Sequence, residues 1–513
     1  MINQVFFIFS FCITCFVSGA DWPQAAGPNG NFVVNNEHAS ASFSVVRNEN
    51  VSWKVSLPST GQGTPIVSGG RIFVTSHERI NGDSQTGSTI LGLCFDARTG
   101  KELWRRKIPG TRTTDLSSLF NDNTAASPVT DGKRVIFTNV GGTIKCFDFN
   151  GGELWGHIWT PFGRHHARAH EPIIHDGKVI LMHVPRYDLP SSVTTKSGAH
   201  SLGRGKEYWT FLRAYDLESG TLIWQAEEGT SVHSTSICGR LADSRKFILT
   251  GRGGGHRPPE EPYGLSLIDI TNGKSIWDRS IKGYAAAQNA CWLGNAAHFF
   301  IGNEHCSVNL ETGEPLKRIS LTEEVAITRR DGIGYISLKD QKISNLKKPI
   351  TYFTNIVVGD YHYFRSFDDF YIGRVHLKTD RVEYLQVPVQ IIRSIDSEDE
   401  IQWDSSIPND MRNADGFKAT GDKRNTGNGW GHVSSAPPIV VGDLIYFPTM
   451  IGMVYVLKWD VPKLNEAALI SMSDLGTARE TWSLSGLGYE DGFIYARTMK
   501  ELICIGADSI QKK

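Results

Sequence analysis

The chain has 513 residues, 40% of them hydrophobic and 21% charged, which excludes a disordered or low-complexity polymer and allows more than one ordinary domain. Lys plus Arg number 53 against 54 for Asp plus Glu, a formal net charge of −1. That balance argues against an extended electrostatic surface for nucleic acid.

Residues 1–20 read as a secretory leader: an apolar core from Val5 to Val17, then Ser18-Gly19-Ala20 as a small-residue cleavage site, although no Lys or Arg precedes the core. The run is too short to span a bilayer and no other candidate span follows, so the expected location is outside the cytoplasm, periplasmic or extracellular. Residues 21–50 read as an N-terminal extension. VSWKVSL, Val51 to Leu57, is a short strand carrying a Trp.

A repeating unit then begins. CFDARTGKELW (Cys94 to Trp104) is a strand, a tight turn and a second strand closing on Trp. It returns as CFDFNGGELW (Cys146 to Trp155), AYDLESGTLIW (Ala214 to Trp224) and LIDITNGKSIW (Leu267 to Trp277), with weaker copies at Val308 to Lys317 and Val375 to Leu385. Asp stands seven or eight positions before Trp in the clear copies, with a Gly between them where the turn needs positive φ. A strand–hairpin pair precedes each copy, first as TPIVSGGRIFVTS (Thr64 to Ser76) and last as LGYEDGFIYART (Leu487 to Thr498). Eight four-stranded units recur at roughly 50 to 70 residues, the mark of a repeat ring. The expected fold is all-β, an eight-bladed β-propeller over residues 51–508. The last unit is one strand short, and Val51 to Leu57 is the strand that would complete it and remove an open edge.

Six cysteines follow the leader, and Cys94, Cys146 and Cys504 fall at equivalent third-strand positions, beyond disulfide reach of one another. They read as inert core thiols, and there is no CxxCH haem motif.

Within each unit the first-to-second and third-to-fourth turns are short. The long insertions fall between second and third strands (His77 to Ser88, Pro185 to Trp209, Arg252 to Tyr263) and between units (Thr111 to Asn123, Gly156 to His170, Gln390 to Ser434). These two kinds of connection emerge on one face of an up-and-down blade. Function is therefore assigned to that face, with residues 390–434 as a possible lid.

Residues entering the innermost strands there are Gln62, Asn123, His170 with Glu171, His233, Gln288 with Asn289, and His432; those leaving the second strands include His77, Asn139, His183, Arg252, Asn303, Arg365 and Arg497. His165, His166, Arg168, His256 and Arg257 lie in neighbouring loops. Three readings stay open for this set. Single side chains can satisfy loop backbone groups. Together, Gln62, Asn123, His170, Glu171, His183, His233, Arg252, Gln288, Asn303 and His432 can line a polar pocket for an anionic or polyhydroxylated ligand. Alternatively, His170, His233 and His432 with Glu171 have metal-ligand chemistry, but they come from units three, four and seven, so no metal is expected.

The D-x-x-x-G-x-x-x-W unit resembles the tryptophan-docking motif of the quinoprotein propeller superfamily, whose type members bind pyrroloquinoline quinone (PQQ). DWPQAAGPNGN, Asp21 to Asn31, is similar to the opening of bacterial secreted PQQ-binding-like β-propeller repeat proteins, and YARTMKELICI, Tyr495 to Ile505, to their last blade. The resemblance implies that Trp104, Trp155, Trp224 and Trp277 each pack on a neighbouring blade. It does not supply the vicinal Cys-Cys pair of the quinoprotein alcohol dehydrogenases, nor residues matching their calcium ligands and catalytic Asp, so neither PQQ nor calcium is expected. Three functions remain. The first is an exported, monomeric binding or assembly scaffold meeting a protein or polysaccharide on its loop-rich face. The second is a polysaccharide lyase or hydrolase using His170, His233, His432 and Arg252 in proton transfer and charge stabilisation. The third is a quinoprotein dehydrogenase.

Overall fold

The computed structural model describes residues 21–78, 86–115, 122–161, 170–183, 210–231, 235–253, 263–285, 288–343, 354–366, 370–412, 416, 418 and 436–506. Eight antiparallel sheets form the ring, with innermost strands Ile66–Ser68, Val129–Thr130, Ile173–His175, Ile237–Arg240, Cys291–Leu293, Asn355–Val358, Ile439–Val441 and Gly488–Glu490 in blades 1 to 8. Blades 1 to 5 are ordered by sequence from axis to rim, as short hairpins dictate. Middle strands such as Phe493–Arg497 are buried almost throughout, because a blade packs against a neighbour on both faces. Rim strands such as Glu153–Ile158 are largely exposed.

Ring closure follows the sequence expectation. Val51–Ser56 pairs antiparallel with Glu501–Ile505, opposing Trp53 to Cys504, and supplies the rim strand of blade 8. The tryptophans then explain the repeat. Trp53 Nε1 donates to Ala97 O of blade 1 at 3.1 Å, Trp104 to Phe149 O of blade 2 at 2.8 Å, Trp155 to Leu217 O of blade 3 at 3.1 Å, and Trp277 to Leu310 O of blade 5 at 2.8 Å. Each indole lies on the turn Gly of the next blade: a Cβ on Gly220 would stand 2.6 Å from Trp155, and one on Gly313 2.9 Å from Trp277. The motif Gly thus serves twice, for its positive φ and for the space it leaves.

Two departures were not visible in the repeats. A hairpin, Val325–Asp331 with Gly334–Gln341, adds to the rim of blade 6 through a parallel pairing of Ala326–Thr328 with Glu383–Leu385. The second is the N-terminal extension, which runs through the axis. Trp22 exchanges backbone bonds with Val67 of blade 1, Thr130 N of blade 2 donates to Pro23 O, and Ile174 N of blade 3 donates to Gln24 Oε1. Cys238 N of blade 4 donates to Gly30 O, Val33–Val34 pair parallel with Val440–Val441 of blade 7, and Tyr489 Oη of blade 8 donates to Glu37 Oε2. Innermost strands lack a neighbour on the axial side, so their free donors are satisfied by this segment. Trp22 is completely buried. The six cysteines among the described residues are free thiols, and burial raises Cys94, Cys146, Cys238 and Cys291 to about 12, as expected for inert core groups.

Candidate functional site: the axial chamber and its rim

On the loop side of the N-terminal segment the axis widens into a chamber of about 30 Å³. Its floor is Ala25 and Phe32, and its wall comes from residues entering the innermost strands, among them Gln62, Ala125, Glu171, Thr235 and Leu484. Of the sequence-nominated residues, the structure brings Gln62 and Glu171 together here. Glu171 Oε2 accepts from Ser127 N at 2.7 Å, tying blade 3 to blade 2.

Beside the chamber, blades 8, 1 and 2 meet around a carboxylate that sequence reasoning did not single out, Asp122. Its Oδ1 meets His77 Nε2 at 2.9 Å and accepts from Thr124 N at 2.8 Å; its Oδ2 accepts from Gln62 Nε2 at 3.2 Å. Burial would raise this carboxyl, but His77 and the Thr124 donors outweigh it and hold it below the usual range. Arg497, also buried, donates to Thr75 O nearby, and burial lowers it to about 10. The only sequence signal for Asp122 was its position in the connection entering blade 2.

The other nominated residues are committed to separate structural duties. Asn123 Nδ2 donates to Gly87 O and Arg112 O, tying the connection into blade 2 to the long outer hairpin of blade 1. His170 Nε2 lies 2.9 Å from Ser236 Oγ, and burial lowers it to about 4, so it is neutral at pH 7. It lines a different cavity of about 30 Å³, between blades 2 and 3, with Trp159 and Met182. His183 stands 5.4 Å from the Trp159 ring, and burial, then Arg213, lowers it to about 3. Arg252 Nη1 donates to Asp278 at 2.6 Å and Nη2 to Glu228 at 3.3 Å. The Gln288 amide brackets the Phe300 backbone with two 2.8 Å bonds, Asn289 Oδ1 accepts from Thr235 N, and Asn303 sits in an exposed two-residue turn. His233 and His432 lie outside the described residues, as do His165, His166, Arg168, His256, Arg257 and most of 390–434 beyond Arg412. Among the described residues no group of three His, Cys, Asp or Glu side chains is placed to hold a metal ion, and no helix is long and apolar enough to cross a membrane.

With this geometry in hand, comparison with known proteins is informative about shape. Residues 84–199 match the family model described as outer membrane protein assembly factor BamB. No curated protein matches the chain. Among solved structures it is similar to a quinohemoprotein alcohol dehydrogenase of Pseudomonas putida HK5, at 11% identity, over 96% of this chain and 81% of that one, with a TM-score of 0.52. It is also similar to the quinohemoprotein alcohol dehydrogenase of Comamonas testosteroni, at 13% identity, over 94% and 80%, again with a TM-score of 0.52. Repeat, closure, docking tryptophans and these likenesses converge on shape: the chain is an eight-bladed β-propeller with PQQ-like repeats, similar in fold to the quinohemoprotein alcohol dehydrogenases.

Proposed function

We propose that this propeller is an exported binding or assembly scaffold that presents its loop-rich face to a protein or polysaccharide and works without PQQ or calcium. One observation carries the reading: the chain's own residues 21–37 occupy the axis and bond to the innermost strands of six blades. The chamber left above them, about 30 Å³, is an order of magnitude below the roughly 300–1,000 Å³ of small-molecule sites. The family model that matches residues 84–199 is named for an assembly factor, which agrees with a scaffold role. The hydrolase or lyase reading draws less support, because His170 and Arg252 are both buried and already bonded within the chain.

The test is a binding panel on the purified protein. PQQ with Ca²⁺, anionic and neutral polysaccharides, and outer-membrane assembly proteins are each titrated in, while dye reduction and glycan cleavage are monitored. The expected result is saturable binding of one protein or glycan with no turnover. A quinone absorbance band with dye reduction, or glycan cleavage lost in His170→Ala, would overturn it.

A further inference from the structure

Where the N-terminal segment enters the ring, on the face with short turns, two carboxyl groups are held together. Asp21 Oδ2 accepts from Ser68 Oγ at 2.6 Å, which fixes its side chain against blade 1. Glu490, at the end of the innermost strand of blade 8, is only 7% exposed and lies beside the Asp21 carboxyl. Gly70 N, 3.4 Å from Glu490 Oε1, is its backbone donor. Among the described residues Glu490 has no ion-pair partner. The charged groups that share its cavity of about 430 Å³ are Asp96, Asp491 and the exposed Arg98 of a turn. Burial first, then the charges of Asp21 and Asp491, raise Glu490 to about 8. Burial and the neighbouring carboxylate charges both oppose ionisation of Glu490, so in the unprocessed chain its protonated form is favoured. Glu490 is buried and Asp21 half-buried, and among the described residues no cation is paired with Glu490.

The sequence supplies one, independently of the geometry. Asp21 follows Ser18-Gly19-Ala20, the small-residue end of the leader, and its backbone nitrogen is three bonds from its own carboxyl carbon. We propose that the Ala20–Asp21 peptide bond is a processing site, and that Glu490 is the receptor for the α-ammonium group that cleavage creates on Asp21. An endopeptidase hydrolyses the bond with water: the C–N bond breaks, Ala20 leaves with a carboxylate, and the Asp21 nitrogen becomes an ammonium. The pair of acids becomes a half-buried salt bridge across blades 8 and 1. Cleavage thereby anchors the residue that leads into Trp22 and the axial segment. This inference rests on the export reading above.

The experiment compares the chain beginning at Asp21 with a free amine against the same chain acetylated on that nitrogen, each with Glu490 and with Glu490→Gln. With the free amine, the substitution lowers the unfolding temperature by roughly 1–2 °C. With the acetylated terminus it leaves the temperature unchanged or raises it, because it relieves the acid pair. The same change in both forms overturns the receptor role. Independently of stability, a ¹⁵N-labelled Asp21 amine should titrate above the ~7.7–8.0 of a free terminus; a value within or below that range also overturns it. Intact mass of the protein recovered from an exporting host separates the two readings. A terminus other than Asp21 overturns the processing site, while the receptor result stands or falls on the comparison of free and acetylated chains.

Discussion

Two arcs of one ring seal their blades in different ways. From blade 8 through blades 1 to 5, every seam is a tryptophan laid on the next blade's turn Gly. At the seam from blade 5 to blade 6 the docking position holds Lys317, which pairs with Asp380 in the turn of blade 6, at 46% and 38% side-chain exposure. Behind that ion pair lies a buried histidine cluster, His298, His305 and His362, with His305 Nε2 and His362 Nδ1 3.1 Å apart and His362 Nε2 2.9 Å from Asn355 Oδ1. Farther round, blade 6 reaches blade 7 through the buried Arg374, which bonds Glu383 Oε2 at 2.6 Å and Val461 O at 2.9 Å. One arc repeats a single indole-on-glycine contact at every seam, with ion pairs such as Arg279–Glu314 beside it; the other has no tryptophan at the docking position of blade 5 and leans on buried polar groups instead. The lesson is that a repeat motif marks how a seam is sealed, and its loss marks a different seal rather than a missing blade.

The comparison breaks most visibly at the tryptophans. Trp277→Ala removes a side chain left 6% exposed and one interblade hydrogen bond, so stability is expected to fall by about 3–5 kcal/mol, read as a lowered urea midpoint. Two glycines of blade 3 then separate docking from backbone strain. Gly177 and Gly220 have φ of +72° and +71°, but a Cβ on Gly177 meets nothing within 4 Å, while one on Gly220 meets Trp155 at 2.6 Å. Gly177→Ala should cost only the left-handed backbone strain, about 1–2 kcal/mol. Gly220→Ala should cost about 2 kcal/mol more, since the indole must move from its close-packed place. Equal losses would show that the docking contact contributes nothing beyond turn geometry.

The same contrast explains what was legible in the sequence. The docked arc could be read because one local pattern, Asp, Gly and Trp at fixed spacing, encodes both turn and seam; the blade count and the closing strand followed from it. The axial segment could not, because its bonds are mostly backbone to backbone, from Pro23 and Gly30 to one strand edge after another, and such bonds leave no side-chain signature. The hairpin at Val325–Gln341 has no repeat to betray it. In the candidate site, chain order placed Gln62 and Glu171 near the axis, but the bond between His77 and Asp122 joins residues 45 apart across two blades. Residue type could nominate His170, Arg252 and Gln288; it could not say that each is occupied with its own fold.

The histidine cluster concentrates three acid-sensitive groups in the polar arc. Burial, with mutual repulsion for His305 and His362, depresses all three: His298 to about 4, His305 to about 3, and His362 well below its ordinary value. Below the unfolded value of about 6.5 the unfolded chain binds more protons than the folded one. Stability is therefore complete above that value and is lost as pH falls from it toward 4. Urea midpoints measured between pH 7 and pH 4 should drop, and His362→Phe should flatten that slope even where it lowers the midpoint at pH 7. An unchanged slope would place the acid sensitivity elsewhere, with His170 and His183 the next candidates by the same sign.

The smallest effect is expected at the substituted docking position itself. Both partners of the Lys317–Asp380 pair are well exposed, so water and salt screen them, and Lys317→Ala should cost about 0–1 kcal/mol, less still at high ionic strength. Lys317 also repels a proton from His305, so its removal makes that ring somewhat easier to protonate and narrows the gap between folded and unfolded values. The variant should thus be marginally weaker at pH 7, yet lose slightly less of its stability on acidification. A loss approaching that of Trp277→Ala would mean that the ion pair seals its seam as firmly as an indole, and the two arcs would differ in chemistry but not in strength.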